Sequence, residues 1–163
     1  MKRIYSVLVE NRSGVLAKVA GLFARRCFNI DSLAVGETFE KGVSNITIVS
    51  SGEKATLEQI EKQLNKKLDV IKVKTFSEEE SLSRELILVK VRFNKNNRRE
   101  LLEICDALGA QIADISKSMM TIQMCDVPEK TAALMEMLAS ISVVEVARTG
   151  TLALPKCILS EKQ

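Results

Sequence analysis

Histidine and tryptophan are absent from this chain of 163 residues, and each absence removes a class of function. Without histidine, the chain has no imidazole to serve as a general base, a zinc ligand or a member of a catalytic triad. With no tryptophan and a single tyrosine, the aromatic platforms on which nucleic-acid bases stack are missing. The net charge of +3 comes from interspersed basic and acidic residues, so we expect no nucleic-acid partner.

The four cysteines and seven glycines are scattered along the chain, which excludes the compact motifs built from either residue. No two cysteines have the spacing of a CxxC site, so neither a zinc ribbon nor a thioredoxin-like motif is present. The cysteines are Cys27, Cys105, Cys125 and Cys157. No glycine cluster has the pattern of a phosphate-binding loop. We therefore expect no metal or cofactor on this chain, and thiols that are reduced and mostly buried.

Long apolar runs are absent as well. The longest uninterrupted runs extend over a few residues, whereas a membrane-spanning helix needs about 20. A secretory signal is not readable, because Glu10, Asn11 and Arg12 interrupt the apolar segment that follows Arg3. With 46% hydrophobic and 28% charged residues, the sequence predicts a globular, cytoplasmic protein without membrane contact.

The sequence does contain the same order of elements twice, namely strand-helix-strand-strand-helix-strand. Runs of apolar and β-branched residues predict the strands, and apolar residues at helical spacing, such as Val15, Val19 and Leu22, predict the helices. In the first copy, strands are predicted at 4–9, 29–39, 43–50 and 68–73, and helices at 15–23 and 57–64. In the second copy, strands are predicted at 85–93, 111–115, 119–124 and 141–146, and helices at 101–108 and 128–138.

This repeat predicts an α+β protein made of two tandem ferredoxin-like (βαββαβ) domains. We place the first domain at 1–76, a polar linker at 77–83 and the second domain at 84–163. Each half has a marginal core on its own, because small domains bury a smaller fraction of their surface. The second and fourth strands would lie at the sheet edges, where unpaired backbone groups invite pairing with another chain. We therefore predict a homodimer that forms through an edge strand.

The loop between the first strand and the first helix is the one segment that invites a binding site. Free backbone N–H groups and the positive end of a helix dipole meet there, which suits a carboxylate or a phosphate. Asn11 offers an amide or an Asx turn, and Gly14 lets a ligand approach the backbone. A helix cap at Ser13 with a permissive glycine explains the same residues, and Asn29 fits turn chemistry as well as ligand contact. The residues alone leave both interpretations open.

Six segments of the sequence carry a resemblance to a known family. They are Arg3–Leu16, Gly21–Arg26, Asn29–Leu33, Glu58–Leu64, Arg84–Val91 and Glu145–Gly150. The first four resemble the ACT domain of the small, regulatory subunit of acetolactate (acetohydroxyacid) synthase, and the last two resemble its C-terminal domain. The resemblance covers nearly the whole chain, and it identifies the first predicted domain as an ACT domain.

The resemblance implies a subunit without chemistry of its own. Such a subunit binds and activates the large, catalytic subunit of acetolactate synthase and makes it sensitive to feedback by valine or another branched-chain amino acid. Thiamine diphosphate, Mg and FAD would belong to the catalytic partner. The effector would lie between the ACT domains of two chains. The implied effector-binding residues are Asn11, Arg12, Ser13, Gly14, Val15 and Leu16, completed by Asn29 and Ile30 of the other chain.

Two functions of other classes remain as alternatives. A free-standing ACT-type amino-acid sensor that regulates another enzyme or a transcription factor would have the same loop but no synthase partner. A neighbouring gene for a thiamine-dependent synthase would distinguish the two. A ferredoxin-like RNA-binding domain should carry aromatic residues on its central strands, yet 43–50 has none and the first strand has only Tyr5. The sequence therefore disfavours RNA binding.

Overall fold

Each copy of the repeat forms an antiparallel sheet with two helices, as the computed structural model shows for residues 1–157, the part of the chain that it describes. The elements of the first copy are β1 (Lys2–Glu10), α1 (Val15–Arg25), β2 (Ser32–Glu37), β3 (Val43–Ser51), α2 (Lys54–Leu64) and β4 (Val70–Phe76). Those of the second copy are β5 (Ser81–Arg92), α3 (Arg98–Leu108), β6 (Gln111–Ile115), β7 (Met119–Asp126), α4 (Pro128–Met137) and β8 (Ser142–Arg148). A 3-10 turn at Leu138–Ser140 follows α4.

Strand β1 lies in the middle of the first sheet, which has the strand order β2-β3-β1-β4. It pairs antiparallel with both β3 and β4. Side chains alternate across a strand, so Tyr5, Val7 and Val9 all point into the core. Helices α1 and α2 add apolar residues three or four positions apart, namely Val15, Val19, Leu22, Phe23, Leu57, Ile60 and Leu64. The first core therefore combines the alternating apolar residues of the strands with the apolar residues that recur every three or four positions on the helices.

The second sheet repeats this plan with the strand order β6-β7-β5-β8. Its central strand β5 directs Ile87, Val89 and Val91 into a core shared with α3 and α4. Pro128 occupies the first turn of α4 as predicted, where its missing N–H removes no helical hydrogen bond. The two βαββαβ units confirm the predicted ferredoxin-like fold class.

A short ninth strand, β9 (Leu152–Pro155), is an element that the sequence pattern does not predict. It pairs with β5. Its residue Ala153 is buried in a small apolar cluster with Ile4, Val49 and Phe76. The chain after the second copy therefore packs with the first copy.

The described chain divides into two compact units, one of Met1–Leu82 with 151–157 and one of Ser83–Gly150. The linker predicted at 77–83 and the predicted domain limits on either side of it remain predictions. Strand β5 begins inside that segment, at Ser81. Within residues 1–157, no helix has the length and apolar character needed to cross a membrane.

The expectation that the cysteines are mostly buried is wrong. Cys105 is buried, whereas Cys27, Cys125 and Cys157 are exposed, and all four thiols are free. Strand parity explains Cys125, because the even-numbered residues of β7 from 120 to 124 are the buried ones and Cys125 points to the other face. Burial raises the pKa of the Cys105 thiol, which favours its protonated form.

Tyr5, the single tyrosine, links the first sheet to α2. Its side chain is fully buried, and its Oη donates a hydrogen bond to the carbonyl oxygen of Leu57 at 2.8 Å. Burial raises the pKa of the phenol from 10.0 to about 12, while the charge of Arg3 opposes the shift and that of Glu61 adds to it. The folded state therefore prefers the neutral phenol, and this contribution to stability is present below pH 10 and is lost as the pH rises toward 12.

We predict that Tyr5→Phe lowers the free energy of unfolding by about 1 kcal/mol near neutral pH, because one hydrogen bond is lost from a buried site. At about pH 11 this advantage of the wild type should vanish, since ionisation of Tyr5 costs the wild type about 1.4 kcal/mol for each pH unit above its unfolded pKa. Urea unfolding of both proteins across this pH range measures the difference, and phenol absorbance reports the pKa directly. A wild-type advantage that stays constant up to pH 12 would contradict the burial of the phenol.

Candidate functional site

The loop between β1 and α1, residues 11–14, is held by backbone hydrogen bonds on both sides. The N–H of Glu10 donates to the carbonyl of Asp69 at 3.0 Å, and the N–H of Asn11 donates to the carbonyl of Gly42 at 2.8 Å. The N–H of Arg12 turns back to the carbonyl of Glu10 at 2.9 Å. The end of β1 is thereby fixed against the two turns beside it, and the start of α1 is fixed with it.

Helix α1 begins with Gly14, and not Ser13, as its N-terminal cap. Gly14 has φ +85°, in the left-handed region, and no side chain caps the helix. A helix cap at Ser13, one of the two interpretations that the sequence left open, is therefore wrong. A Cβ atom on Gly14 would meet nothing within 4 Å, so the backbone conformation, rather than lack of space, requires glycine here. The open space also gives a ligand access to the backbone.

The first turn of α1 contains backbone donors that have no partner in the described part of the chain. The N–H of Lys18 starts the helical ladder by donating to the carbonyl of Gly14 at 3.0 Å. The N–H groups of Gly14, Leu16 and Ala17 have no acceptor in the described part of the chain. Together with the positive end of the helix dipole, these donors favour a small anion such as a carboxylate.

The amide of Asn11 is engaged by the end of β2. Its Nδ2 donates to Oε1 of Glu37 at 2.5 Å, rather than forming the Asx turn that the sequence allowed as one of two alternatives. Arg12 forms an exposed ion pair with Glu10 at 3.3 Å. The loop thus engages two carboxylates, Glu10 through the Arg12 guanidinium and Glu37 through the Asn11 amide. Glu37 is the residue that the sequence analysis missed, because it lies 26 positions from Asn11 and reaches it through the strand order.

The two aliphatic residues after Gly14 have different environments. Val15 is 3% exposed and belongs to the core of the first unit, so its side chain does not reach the open space. Leu16 is 42% exposed and presents its side chain at the surface. Of the predicted aliphatic pair, Leu16 is therefore the one that offers an apolar contact to a ligand.

Asn29 and Ile30 lie at the opposite end of β2 from this loop. They precede the strand, which begins at Ser32 rather than at the predicted residue 29. Asn29 donates its Nδ2 to Asp31 at 2.5 Å and receives at its carbonyl a hydrogen bond from Ser50 at 2.6 Å. Residues 31–36 separate them from Glu37, a length of about 20 Å. A single chain therefore does not bring the eight predicted site residues together.

A metal centre finds no support in the described part of the chain. No group of three histidine, cysteine, aspartate or glutamate side chains within residues 1–157 is arranged to hold a metal ion. The candidate site consists of backbone donors, one amide and one exposed leucine, which is the chemistry of recognition by hydrogen bonds and apolar contact.

Comparison with protein families gives two matches that together extend over most of the chain. A family model described as the AHAS small subunit-like ACT domain matches residues 5–72. A model described as the small subunit of acetolactate synthase matches residues 84–157. The segments on which the sequence resemblance rests lie almost wholly inside these two ranges.

Individual proteins give the same result. An acetolactate synthase small subunit of Mycolicibacterium smegmatis is 45% identical over 151 residues, which cover 93% of this chain and 89% of that protein. One of Haemophilus influenzae is 41% identical over 157 residues, 96% of each chain. The crystal structure of the acetolactate synthase small subunit from Thermotoga maritima matches with a TM-score of 0.89 at 37% identity, covering 96% of this chain and 98% of that one.

We predict that Gly14→Ala lowers the free energy of unfolding by about 1–2 kcal/mol, because alanine at φ +85° meets the steric cost of the left-handed region. Gly14→Asn should cost less, since asparagine tolerates this conformation better. Gly52→Ala is the matched control, because its added Cβ makes ordinary contact with Thr56 at 3.8 Å. Urea unfolding measures all three variants, and equal losses for Gly14→Ala and Gly52→Ala would contradict a conformational requirement at Gly14.

Proposed function

This chain belongs to the family of acetolactate synthase small subunits, and on that premise we propose that it activates the catalytic subunit of that enzyme and makes it sensitive to a branched-chain amino acid. The observation that supports the effector site is the start of α1, where the N–H groups of Gly14, Leu16 and Ala17 lack an acceptor among the described residues and Gly14 borders open space. Thiamine diphosphate, Mg and FAD would reside on the catalytic partner, with both subunits in the cytoplasm.

The site fits the chemistry of a small aliphatic amino acid. Its carboxylate would accept hydrogen bonds from the N–H groups of Gly14, Leu16 and Ala17, in the favourable field of the helix dipole. Its side chain would lie against the exposed Leu16. Valine, leucine and isoleucine all meet this description, so the effector is valine or another branched-chain amino acid.

A second copy of the chain would complete the site through β2. The two edges of the first sheet differ in their protection against pairing. Strand β4 carries Lys72 and Lys74, and lysine on an edge strand opposes pairing with another chain. Strand β2 contains no lysine, and Val35 in its middle is 47% exposed. Pairing through β2 would bury this valine and satisfy the free backbone groups of that edge.

An antiparallel pair of β2 strands would also bring together the predicted site residues that lie far apart within one chain. Around a two-fold axis, the start of one β2 lies beside the end of the other. Asn29 and Ile30 of one copy would then lie near Glu37 and the 11–14 loop of the other, although about 20 Å separate them within one chain. This arrangement supports an effector site shared between two chains, with two such sites in each homodimer.

The first prediction of this proposal concerns assembly. Wild type should sediment as a dimer or larger, and Val35→Lys should shift it to a monomer, because a lysine placed on the pairing edge must lose its hydration in the dimer. Ile71→Lys is the matched control, since Ile71 is 56% exposed on the other edge strand, β4. A Val35→Lys protein that remains a dimer, or loss of the dimer in Ile71→Lys alone, would contradict pairing through β2.

The second prediction concerns feedback. Gly14→Asp should weaken inhibition of the reconstituted synthase by its amino-acid effector roughly tenfold to a hundredfold, because a second carboxylate competes for the same N–H donors. Activation of the catalytic subunit should persist. Because Gly14 has positive φ, some loss of stability should accompany the change, and Gly14→Asn controls for it with a neutral side chain of the same shape.

The assay compares valine, leucine and isoleucine with each small-subunit variant, and the small subunit without its catalytic partner serves as the blank. Unchanged sensitivity of the Gly14→Asp enzyme to all three amino acids would place the effector site elsewhere. A wild-type chain that binds a branched-chain amino acid but neither binds nor activates the catalytic subunit would favour the free-standing sensor instead.

A further inference from the structure

A groove on the surface of α2 in the first unit is lined by basic and amide side chains. It has a volume of about 580 Å³ and is lined by Arg26, Gln59, Lys62, Gln63, Asn65 and Lys66. None of these six residues is acidic. The groove therefore presents three positive charges together with amide groups that can donate or accept hydrogen bonds.

The charges of this groove are free to pair with an external group. In the part of the chain that the structure describes, no carboxylate lies within ion-pair distance of Arg26, Lys62 or Lys66. The acidic residue Glu61, which shares α2 with this groove, pairs instead with Arg3. An incoming carboxylate would thus meet these cations without displacing a partner from them.

The backbone around the groove argues against a compact phosphate as its occupant. Phosphate sites commonly use the free N–H groups of a helix N-terminus. The groove contains no residue from the first turn of α1 or α2, and α2 ends beside it at Leu64. The C-terminal end of a helix carries partial negative charge, which disfavours an anion close to the backbone. Binding at this groove therefore depends on the tips of long side chains.

The spacing of the cations fits carboxylates that are spread along a peptide. Gln59 and Lys62 lie three residues apart on α2, about 5 Å along its axis. Lys66 lies two residues beyond the end of α2 at Leu64, so the two lysines line the groove from the helix and from the turn that follows it. In an extended segment, side chains two positions apart share a face and are separated by about 7 Å. Alternate acidic residues on such a segment would present a separate carboxylate to each of the two lysines.

We propose that this groove is a docking surface for an acidic, extended segment of the catalytic subunit. The proposal rests on the proposed function, which supplies that partner, and it assigns the contact to the helix layer of the first unit rather than to the β2 edge. Carboxylates of the partner pair with Lys62 and Lys66, while Arg26 and the amides hold the segment at its flanks.

The test is the affinity of the full-length chain for the catalytic subunit, measured for the double variant Lys62→Glu/Lys66→Glu. At low salt, its dissociation constant should be at least about tenfold larger than that of wild type, and the difference should shrink as salt screens the charges. Lys95→Glu/Lys117→Glu is the matched control, because it changes the net charge by the same amount at exposed positions of the second unit. The control should bind as wild type does.

Basic residues near a helix C-terminus also stabilise the helix, so the double variant needs a measure of folding. Binding of valine by calorimetry supplies it, since the effector site lies at the other end of α1. Lys62→Gln/Lys66→Gln removes the charges without reversing them and should show a smaller loss of affinity for the catalytic subunit.

Four outcomes decide the proposal. Weaker binding in the groove variants, with valine binding and the control intact, supports it. Unchanged affinity and salt dependence of Lys62→Glu/Lys66→Glu overturns the groove and leaves the proposed function standing. A wild-type chain that does not bind the catalytic subunit overturns both. Binding of a short single-stranded RNA that the groove variant alone loses, with unchanged affinity for the catalytic subunit, overturns the proposal in favour of a nucleic-acid partner.

Discussion

The candidate site depends on the position of β1, which pairs with two neighbouring strands and packs one of its faces into the core. Tyr5, Val7 and Val9 are buried together, and a register slip of one residue would send all of them to the opposite face. The register therefore fixes where β1 ends, and the hydrogen bond from Asn11 to Gly42 fixes the direction in which the chain leaves it. The exposed N–H groups at the start of α1 are a consequence of core packing several residues away.

The sequence was sufficient for the order of elements because each element carries its own period of apolar residues. It also located the loop, since a strand followed by polar residues, a glycine and a helical stripe is a local pattern. Three features depend on distant contacts and escaped prediction. Strand β9 has four residues and ends at Pro155, so it lacks a recognisable period. The contact of Asn11 with Glu37 follows from strand order, and the cap at Gly14 follows from anchoring of the loop.

Helix α1 connects the two surfaces to which we assign function in the first unit. It begins directly after Gly14 and ends directly before Arg26, eleven residues later, a length of about 16 Å. Its inward face, which includes Leu22 and Phe23, belongs to the same core as the buried residues of α2. The free N–H groups lie at one end of this helix, and one cation of the groove lies at the other. Effector recognition and partner recognition would thus share a single rigid element.

The return of the chain to the first unit after Gly150 has a consequence for biosynthesis. The cluster of Ile4, Val49 and Phe76 lacks its fourth member until Ala153 has been translated and has left the ribosome. The second unit is formed by one continuous stretch, Ser83–Gly150, so all of its residues emerge earlier. Nascent domains generally fold in the order in which they are synthesised. In this protein the unit that contains the N-terminus is the last to be complete.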